Sequence, residues 1–178
     1  MSKRPNQNRL KINLASSELT DLPDDVCQSL NLEKLNLRDN ELKRLPNTIG
    51  QLTKLETLIV SSNNLEILPE SVGRLTELSD LWLSNNHLTN LPDSIGEIVN
   101  LERLWVAYNQ LALLPESIGK LSALRELDVK NNNLTVLPNS IYQLKNLERL
   151  MLNNNPIANL KEVLEKLEKT LPNCTIYY

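Results

Sequence analysis

Apolar and polar positions follow one pattern that returns every 23 residues along the chain. Each repeat contains L-x-L, in which two apolar residues flank one free position, and this period of two predicts a short strand with one buried face. One strand and one return arm cannot bury a core alone, so the repeats are predicted to stack into a solenoid with a parallel sheet. A Leu-Pro pair ends each strand pattern, at Leu22-Pro23, Leu45-Pro46, Leu68-Pro69, Leu91-Pro92, Leu114-Pro115 and Leu137-Pro138.

An asparagine occupies the point in each repeat where the chain leaves the strand and exposes backbone groups that no neighbouring strand can pair. Its amide supplies a donor and an acceptor, so we predict a structural ladder that satisfies these groups. The ladder consists of Asn40, Asn63, Asn86, Asn109, Asn132 and Asn155. The four glycines each follow an Ile or Val, and we expect them where one arm passes close to the next: Gly50, Gly73, Gly96 and Gly119.

The complete unit, L-x-x-L-x-L-x-x-N-x-L-x-x-L-P-x-x-I-G-x-L-x-x, resembles the leucine-rich repeat family over residues 10 to 178. The Leu-Pro form is similar to the 23-residue class of Ras-suppressor-type and Scribble/Erbin-type intracellular scaffolds, related plant proteins and bacterial translocated effectors. The resemblance implies an α/β fold, a right-handed horseshoe-shaped leucine-rich repeat solenoid. Its parallel sheet would lie on the concave side, with short helical or irregular arms on the convex side.

The terminal units depart from the repeat, as the end units of a solenoid usually do. We expect one leucine-rich repeat domain over residues 1–178, with an N-terminal cap and first unit at 1–22, regular repeats at 23–155 and a C-terminal cap at 156–178. Apolar residues at helical spacing between Leu160 and Leu171 predict a capping helix, followed by a final strand within 174–178. Cys27 and Tyr142 replace the glycine in the first and sixth arms.

The free strand positions are expected to project from the concave face, because side chains alternate across a strand. Leucines occupy the inward positions of the strands that carry the two tryptophans, so the register predicts both indoles on the exposed face. Adjacent exposed indoles are typical of interface hot spots; the alternative is that they stack only to stabilise the sheet. The column reads Asn13, Asn36, Ile59, Trp82, Trp105, Asp128 and Met151.

The preceding column alternates in charge from Asp80 onward, which fits either a lateral ladder of ion pairs or charges that engage a ligand. It reads Lys11, Lys34, Thr57, Asp80, Arg103, Glu126 and Arg149. Tyr108 follows Ala107 in the next column, where small residues leave room for a partner. The predicted partner-binding residues are Ile59, Asp80, Trp82, Arg103, Trp105, Tyr108, Glu126, Asp128, Arg149 and Met151.

Catalytic chemistry is not expected from the residues present. His87, the one histidine, occupies a polar turn position, and no set of nucleophile, base and orienting group can be assembled around it. Two distant cysteines and one histidine do not make a metal site. We therefore predict no enzymatic activity, no catalytic residues, no cofactor and no metal. The net charge of −3 argues against a nucleic-acid partner.

A cytoplasmic location is predicted. The N-terminal residues contain no apolar stretch, so we expect neither a signal peptide nor membrane insertion. Cys27 and Cys174 would lie about 29 Å apart across the stacked strands, too far for a disulfide. The resemblance adds that extracellular members usually carry cysteine clusters at their caps, which this chain does not. A translocated bacterial effector would instead reach the host cytosol.

The resemblance implies a non-catalytic protein–protein interaction module. Such a module would bind a partner protein on its concave face, as a scaffold, adaptor or inhibitor in intracellular signalling or as a bacterial effector, and be monomeric when free. One alternative is a substrate-recognition module that works with a separate catalytic chain. Another is a purely architectural repeat protein, which the clustered tryptophans disfavour.

Overall fold

The computed structural model describes residues 10–178 and contains a single parallel sheet whose eight strands follow one another in chain order. Successive strands are in the predicted register, with Leu58 opposite Leu81 and Leu81 opposite Leu104. The strands are β1 (Leu10–Asn13), β2 (Leu32–Asn36), β3 (Thr57–Ile59), β4 (Asp80–Trp82), β5 (Arg103–Trp105), β6 (Glu126–Asp128), β7 (Arg149–Met151) and β8 (Thr175–Tyr177).

Short helices form the return arms. The first arm contains a four-residue α-helix, α1 (Asp24–Cys27). The regular arms contain 3₁₀ helices at Asn47–Gln51, Glu70–Arg74, Asp93–Glu97, Glu116–Lys120 and Asn139–Gln143. A proline of the Leu-Pro pair precedes each, for instance Pro46 with φ of −70°. This position suits proline because its φ is fixed near that value and no intrahelical partner is lost with its N–H.

The core lies between the sheet and the arms. The strand leucines, including Leu58, Leu81 and Leu104, are fully buried, and so are arm residues such as Ile95 and Ile118. The two sets belong to one continuous cluster that runs through the stacked repeats. The predicted inward register of the leucines is therefore confirmed.

Close packing explains the glycines. A Cβ added to Gly96 would lie 2.4 Å from the backbone oxygen of Ser117 in the next arm, and the other three glycines meet the same obstacle. None of the four has a positive φ. The predicted close approach of neighbouring arms is confirmed.

The C-terminal unit forms the predicted helix, α2 (Leu160–Thr170), and the predicted final strand β8, which pairs with β7. Leu167 is fully buried against the last repeat. The ammonium of Lys166 lies 4.0 Å from the ring centroid of Tyr142. Tyr142 thus replaces glycine in the last arm, which is followed by α2. At this position the side chain contacts Lys166, whereas in the other arms a Cβ would clash with a serine of the next arm.

Candidate functional site on the concave face

The asparagine ladder fixes the turn at which each strand ends. The Nδ2 group of Asn86 donates to the backbone oxygens of Val60 at 3.0 Å and Leu83 at 2.9 Å, and its Oδ1 accepts from the backbone N–H of Leu65 at 2.9 Å. Asn40, Asn63, Asn109, Asn132 and Asn155 make equivalent bonds. The predicted structural role of the ladder is confirmed, and it holds successive strands in the same orientation.

The residue just before each ladder asparagine has a left-handed backbone. In most repeats this residue is Asp, Ser or Asn, whose short polar side chains tolerate a positive φ. In the fourth regular repeat it is Tyr108, with φ of 55° and 51% of its surface exposed. An exposed aromatic ring in a strained backbone position is worth retaining only where the ring is used, which makes Tyr108 a candidate functional residue.

The two tryptophans stack on each other. Trp82 and Trp105 are opposite one another on β4 and β5, with ring centroids 4.6 Å apart and an interplanar angle of 30°. Both are half-buried, and both indole N–H groups are buried with no hydrogen-bond partner among residues 10–178. The predicted face is confirmed, and the stacking named as the alternative is present, so each ring covers part of the other and both are less exposed than a binding surface alone would require. The stacked indoles form a partly sheltered apolar surface.

Three other predicted residues offer less surface than expected. Ile59 is only 7% exposed, because the sheet register places it beside the large side chain of Trp82. Asp80 and Asp128 are 8% and 9% exposed, since basic side chains lie over them. Their exposure is therefore lower than expected, and their role in partner binding stays a prediction.

Ion pairs cover the buried carboxylates. Arg103 binds Asp80 through two nitrogens, with Nη2 at 2.9 Å from Oδ2, and this hydrogen bonding raises the pKa of the guanidinium. Arg149 Nη1 lies 2.9 Å from Glu126 Oε1. The lateral pairing allowed by the alternating charges is present as two separate pairs; within residues 10–178 no ion pair joins Arg103 to Glu126.

A third pair lies beside Tyr108. Lys130 Nζ is 3.5 Å from Asp128 Oδ2 and 5.9 Å from the ring centroid of Tyr108. It therefore links a buried carboxylate to the strained aromatic residue. Lys130 was not among the predicted binding residues.

A depression of about 630 Å³ opens at the C-terminal end of the concave face. It is lined by Trp105, Glu126, Asp128, Lys130, Arg149, Met151, Asn153 and Tyr177. Five of these were predicted as binding residues. Tyr177 was missed, although it lies opposite Met151 on the predicted final strand; extending the column into that strand would have found it. The other five predicted binding residues are not part of the depression's lining: Ile59, Asp80, Trp82, Arg103 and Tyr108.

The titratable groups that could support other chemistry are separate from this site. Among residues 10–178, no three His, Cys, Asp or Glu side chains are grouped so as to hold a metal ion. His87 is exposed. Cys27 and Cys174 are free thiols; burial raises the pKa of both, that of Cys174 to about 11. In the same part of the chain, no helix has the length and apolar character needed to span a lipid bilayer.

Solved structures similar to this chain are larger repeat proteins. PEPR1–AtPEP1 matches with a TM-score of 0.81 and 30% identity, covering 95% of this chain and 24% of that one. A TDR receptor matches with a TM-score of 0.77 and 29% identity, covering 88% and 27%. An internalin, inlF of Listeria monocytogenes, shares the fold with a TM-score of 0.78 at 19% identity, covering 94% and 47%. This chain spans less than two thirds of each.

Family models match most of the repeats. The model described as a leucine-rich repeat region covers residues 10–111, and the one described as a leucine rich repeat covers 112–157. No curated protein matches at a significant level. The fold is typical of non-catalytic protein–protein interaction modules. With the stacked strands, the asparagine ladder and the model matches together, the chain belongs to the leucine-rich repeat family.

Proposed function

We propose that this chain is a non-catalytic module that binds a partner protein on its concave face, as a scaffold, adaptor or inhibitor in intracellular signalling or as a bacterial effector. The observation that carries the proposal is Tyr108. An exposed aromatic side chain is kept at a left-handed position where other repeats have short polar residues. The one ring contact, with the ammonium of Lys130 at 5.9 Å from the centroid, leaves half of the side chain exposed, so a binding role explains its retention at this turn best.

The surroundings of Tyr108 support the same face. Trp105 ends β5, the strand that precedes Tyr108 in the same repeat, and Asp128, Met151 and Tyr177 continue its column across the sheet. Aromatic residues and methionine are enriched at protein interfaces, and a preformed surface binds without a large ordering cost. The PEPR1–AtPEP1 structure and the TDR receptor are further support, since the name of the latter marks it as a receptor.

We also propose a cytosolic setting. Cys27 and Cys174 lie in opposite terminal units, and their raised pKa values keep them as thiols rather than thiolates at neutral pH. Protonated, half-buried or buried thiols react slowly with oxidants and suit a protein that has no disulfide to form.

The test is an affinity capture from the source organism's lysate with quantitative mass spectrometry. Bait proteins would be the native chain, Trp105→Ala, and Tyr108→Asn, the substitution that suits the backbone. We expect a partner that the native chain retains and both variants lose, followed by direct binding with the purified pair.

The matched control removes exposed apolar side chains elsewhere. Ile67→Ser/Leu113→Ser changes residues that are 57% and 56% exposed and lie outside the strands, beside the Leu-Pro pairs. This variant should retain the partner. If the concave variants and the native chain capture the same proteins, or if only the control loses them, the concave-face proposal is wrong.

A further inference from the structure

The charges on the concave face are unequally exposed. In each of the three ion pairs the basic side chain lies outermost and the carboxylate lies beneath it. Side-chain exposures are 42% for Arg103 against 11% for Asp80, 36% for Lys130 against 12% for Asp128, and 55% for Arg149 against 17% for Glu126. A ligand that approaches this part of the face therefore meets cations first, although the sequence alternates in sign.

The basic groups keep unused hydrogen-bond donors. Within residues 10–178, Arg103 donates hydrogen bonds from Nε and Nη2, both to Asp80, and Arg149 donates one from Nη1 to Glu126. Nη1 of Arg103 and both Nε and Nη2 of Arg149 thus remain available. Because their own carboxylates hold the guanidinium groups in place, these donors are preorganised for an incoming acceptor.

An apolar floor lies next to the donors of Arg149, whereas Arg103 is not part of its surroundings. Trp105, Met151 and Tyr177 line the 630 Å³ depression together with Arg149 and Lys130. Glu126 and Asp128 also line the depression, but their carboxylates are less exposed than the side chains of Arg149 and Lys130 that pair with them. The depression therefore combines a place for an apolar side chain with a rim whose outermost charges are cationic. Carboxylates match this rim, since they accept bidentate hydrogen bonds from guanidinium groups.

We infer that the occupant of this depression is an acidic segment of the partner protein, with an apolar side chain seated on Trp105 and Met151 and flanking carboxylates bound by Lys130 and Arg149. The inference rests on the proposed function and names the chemistry of its partner. It depends on charge complementarity between an outward cationic rim and an acidic ligand.

Two other anionic occupants fit the site less well. A nucleic acid presents a continuous run of phosphates, whereas the rim cations are a few separate residues in a chain of net charge −3, unlike the continuous basic stripe of a nucleic-acid binder. A second copy of this chain could present acidic residues of its own, since Glu70, Asp93, Glu97 and Glu116 line depressions among the arms. The residues that line those depressions are all polar or charged, so they offer no apolar side chain to seat on Trp105 and Met151.

The test is selection of a randomised short-peptide library on the immobilised full chain. We expect recovered peptides to be enriched in Asp and Glu beside an apolar residue, and to change tryptophan fluorescence when they bind. For a recovered peptide, Lys130→Gln/Arg149→Gln should weaken the Kd by about tenfold or more, and raising the ionic strength should also weaken it.

The control variant is Arg74→Gln/Lys120→Gln, which removes the same charge from exposed residues of the arms. It should bind the peptide as the native chain does. A second control needs no variant: the same peptide with Asn and Gln in place of Asp and Glu should bind about tenfold more weakly.

Three results would overturn the inference. The first is recovery of neutral or basic peptides, or of no acidic ones. The second is tighter binding of a single-stranded oligonucleotide of matched charge. The third is self-association in sedimentation velocity that Lys130→Gln/Arg149→Gln abolishes, which would make a second copy the occupant.

The two proposals fail separately. If Tyr108→Asn loses the captured partner while Lys130→Gln/Arg149→Gln retains it, the concave face binds a protein but not through acidic recognition. If both variants retain the partner, the proposed function fails as well.

Discussion

The ladder positions and the concave columns occupy neighbouring parts of the same repeat but vary in opposite ways. Each ladder asparagine makes the same bonds to the backbone of its own and adjacent repeats, so any other side chain would leave buried groups unpaired. The concave positions between the strand leucines change from Asn36 to Trp82 to Asp128 without altering the sheet. Ladder positions bond to the backbone of adjacent repeats and so define the fold. Concave positions such as Asn36 and Asp128 bond at most to a backbone N–H of their own turn, two residues on, and are free to acquire function.

The largest expected effect comes from breaking the ladder. Asn86→Ala removes three hydrogen bonds to buried backbone groups. We expect the free energy of unfolding to fall by about 3 kcal/mol, because unpaired buried groups each cost about 1–3 kcal/mol. Urea denaturation measures the change. His87→Ala, at the exposed next residue, is the control and should change little; equal stability of the two variants would contradict the structural role of the ladder.

A second substitution tests the close approach of the arms. In Gly96→Ala the new Cβ would lie 2.4 Å from Ser117 O and 2.8 Å from Ser117 Cβ, and neither atom can rotate away. We expect a loss of about 2 kcal/mol, typical of overpacking. Tyr142→Gly at the equivalent position of the last arm should instead lose the contact with Lys166. A Gly96→Ala variant as stable as the native chain would show that the arms can separate without cost.

The repeat could be predicted from sequence because each of its rules is local and recurs. The strand period, the asparagine at the strand exit and the glycine in the arm need only the spacing of 23 residues, and all were confirmed. Exposure on the concave face could not be predicted in the same way. Burial of Ile59 depends on the size of its neighbour Trp82, and burial of Asp80 depends on how Arg103 lies over it. Strand alternation gives the face of a side chain but not what covers it.

The tryptophan pair combines features of both kinds of position: it belongs to a concave column that varies between repeats, yet its rings pack against each other. Trp82→Ala and Trp105→Ala should each destabilise the protein, and a double-mutant cycle should give a coupling of about 1 kcal/mol, the value expected of stacked aromatic rings. Thermal or urea unfolding of the four proteins measures it. A coupling near zero would mean that the rings contribute to stability independently.

Tyr108 is the candidate binding residue that lies in the turn fixed by the asparagine ladder, so one substitution tests both stability and binding. Tyr108→Asn should raise the free energy of unfolding by about 0.5–1 kcal/mol, since Asn tolerates a left-handed backbone better than Tyr does. The same variant should weaken partner binding. Asn85→Tyr, at the equivalent turn of the preceding repeat, is the reciprocal control and should lower stability. If Tyr108→Asn lowers stability, the ring supports the fold and the argument for its function is lost.

The smallest expected effect concerns a hydrogen-bonded carboxylate between two arms, and it tests whether that group serves stability or partner binding. Glu116 accepts hydrogen bonds from the backbone N–H groups of Ser140 and Asn139, at 3.0 Å each, and these bonds, chiefly that of Ser140, lower its pKa. A carboxylate whose pKa is lower in the folded than in the unfolded state stabilises the protein above the unfolded-state pKa. That contribution is lost as the pH falls through the folded-state value.

Glu116→Gln should therefore lower the melting temperature slightly at about pH 7, and the difference from the native chain should shrink below about pH 4. Glu77→Gln, on an exposed carboxylate outside these bonds, should show no such trend. Because the hydrogen bonds act between neighbouring arms, partner binding at neutral pH should be unaffected by Glu116→Gln; a loss of binding would place function on the arms as well as on the concave face.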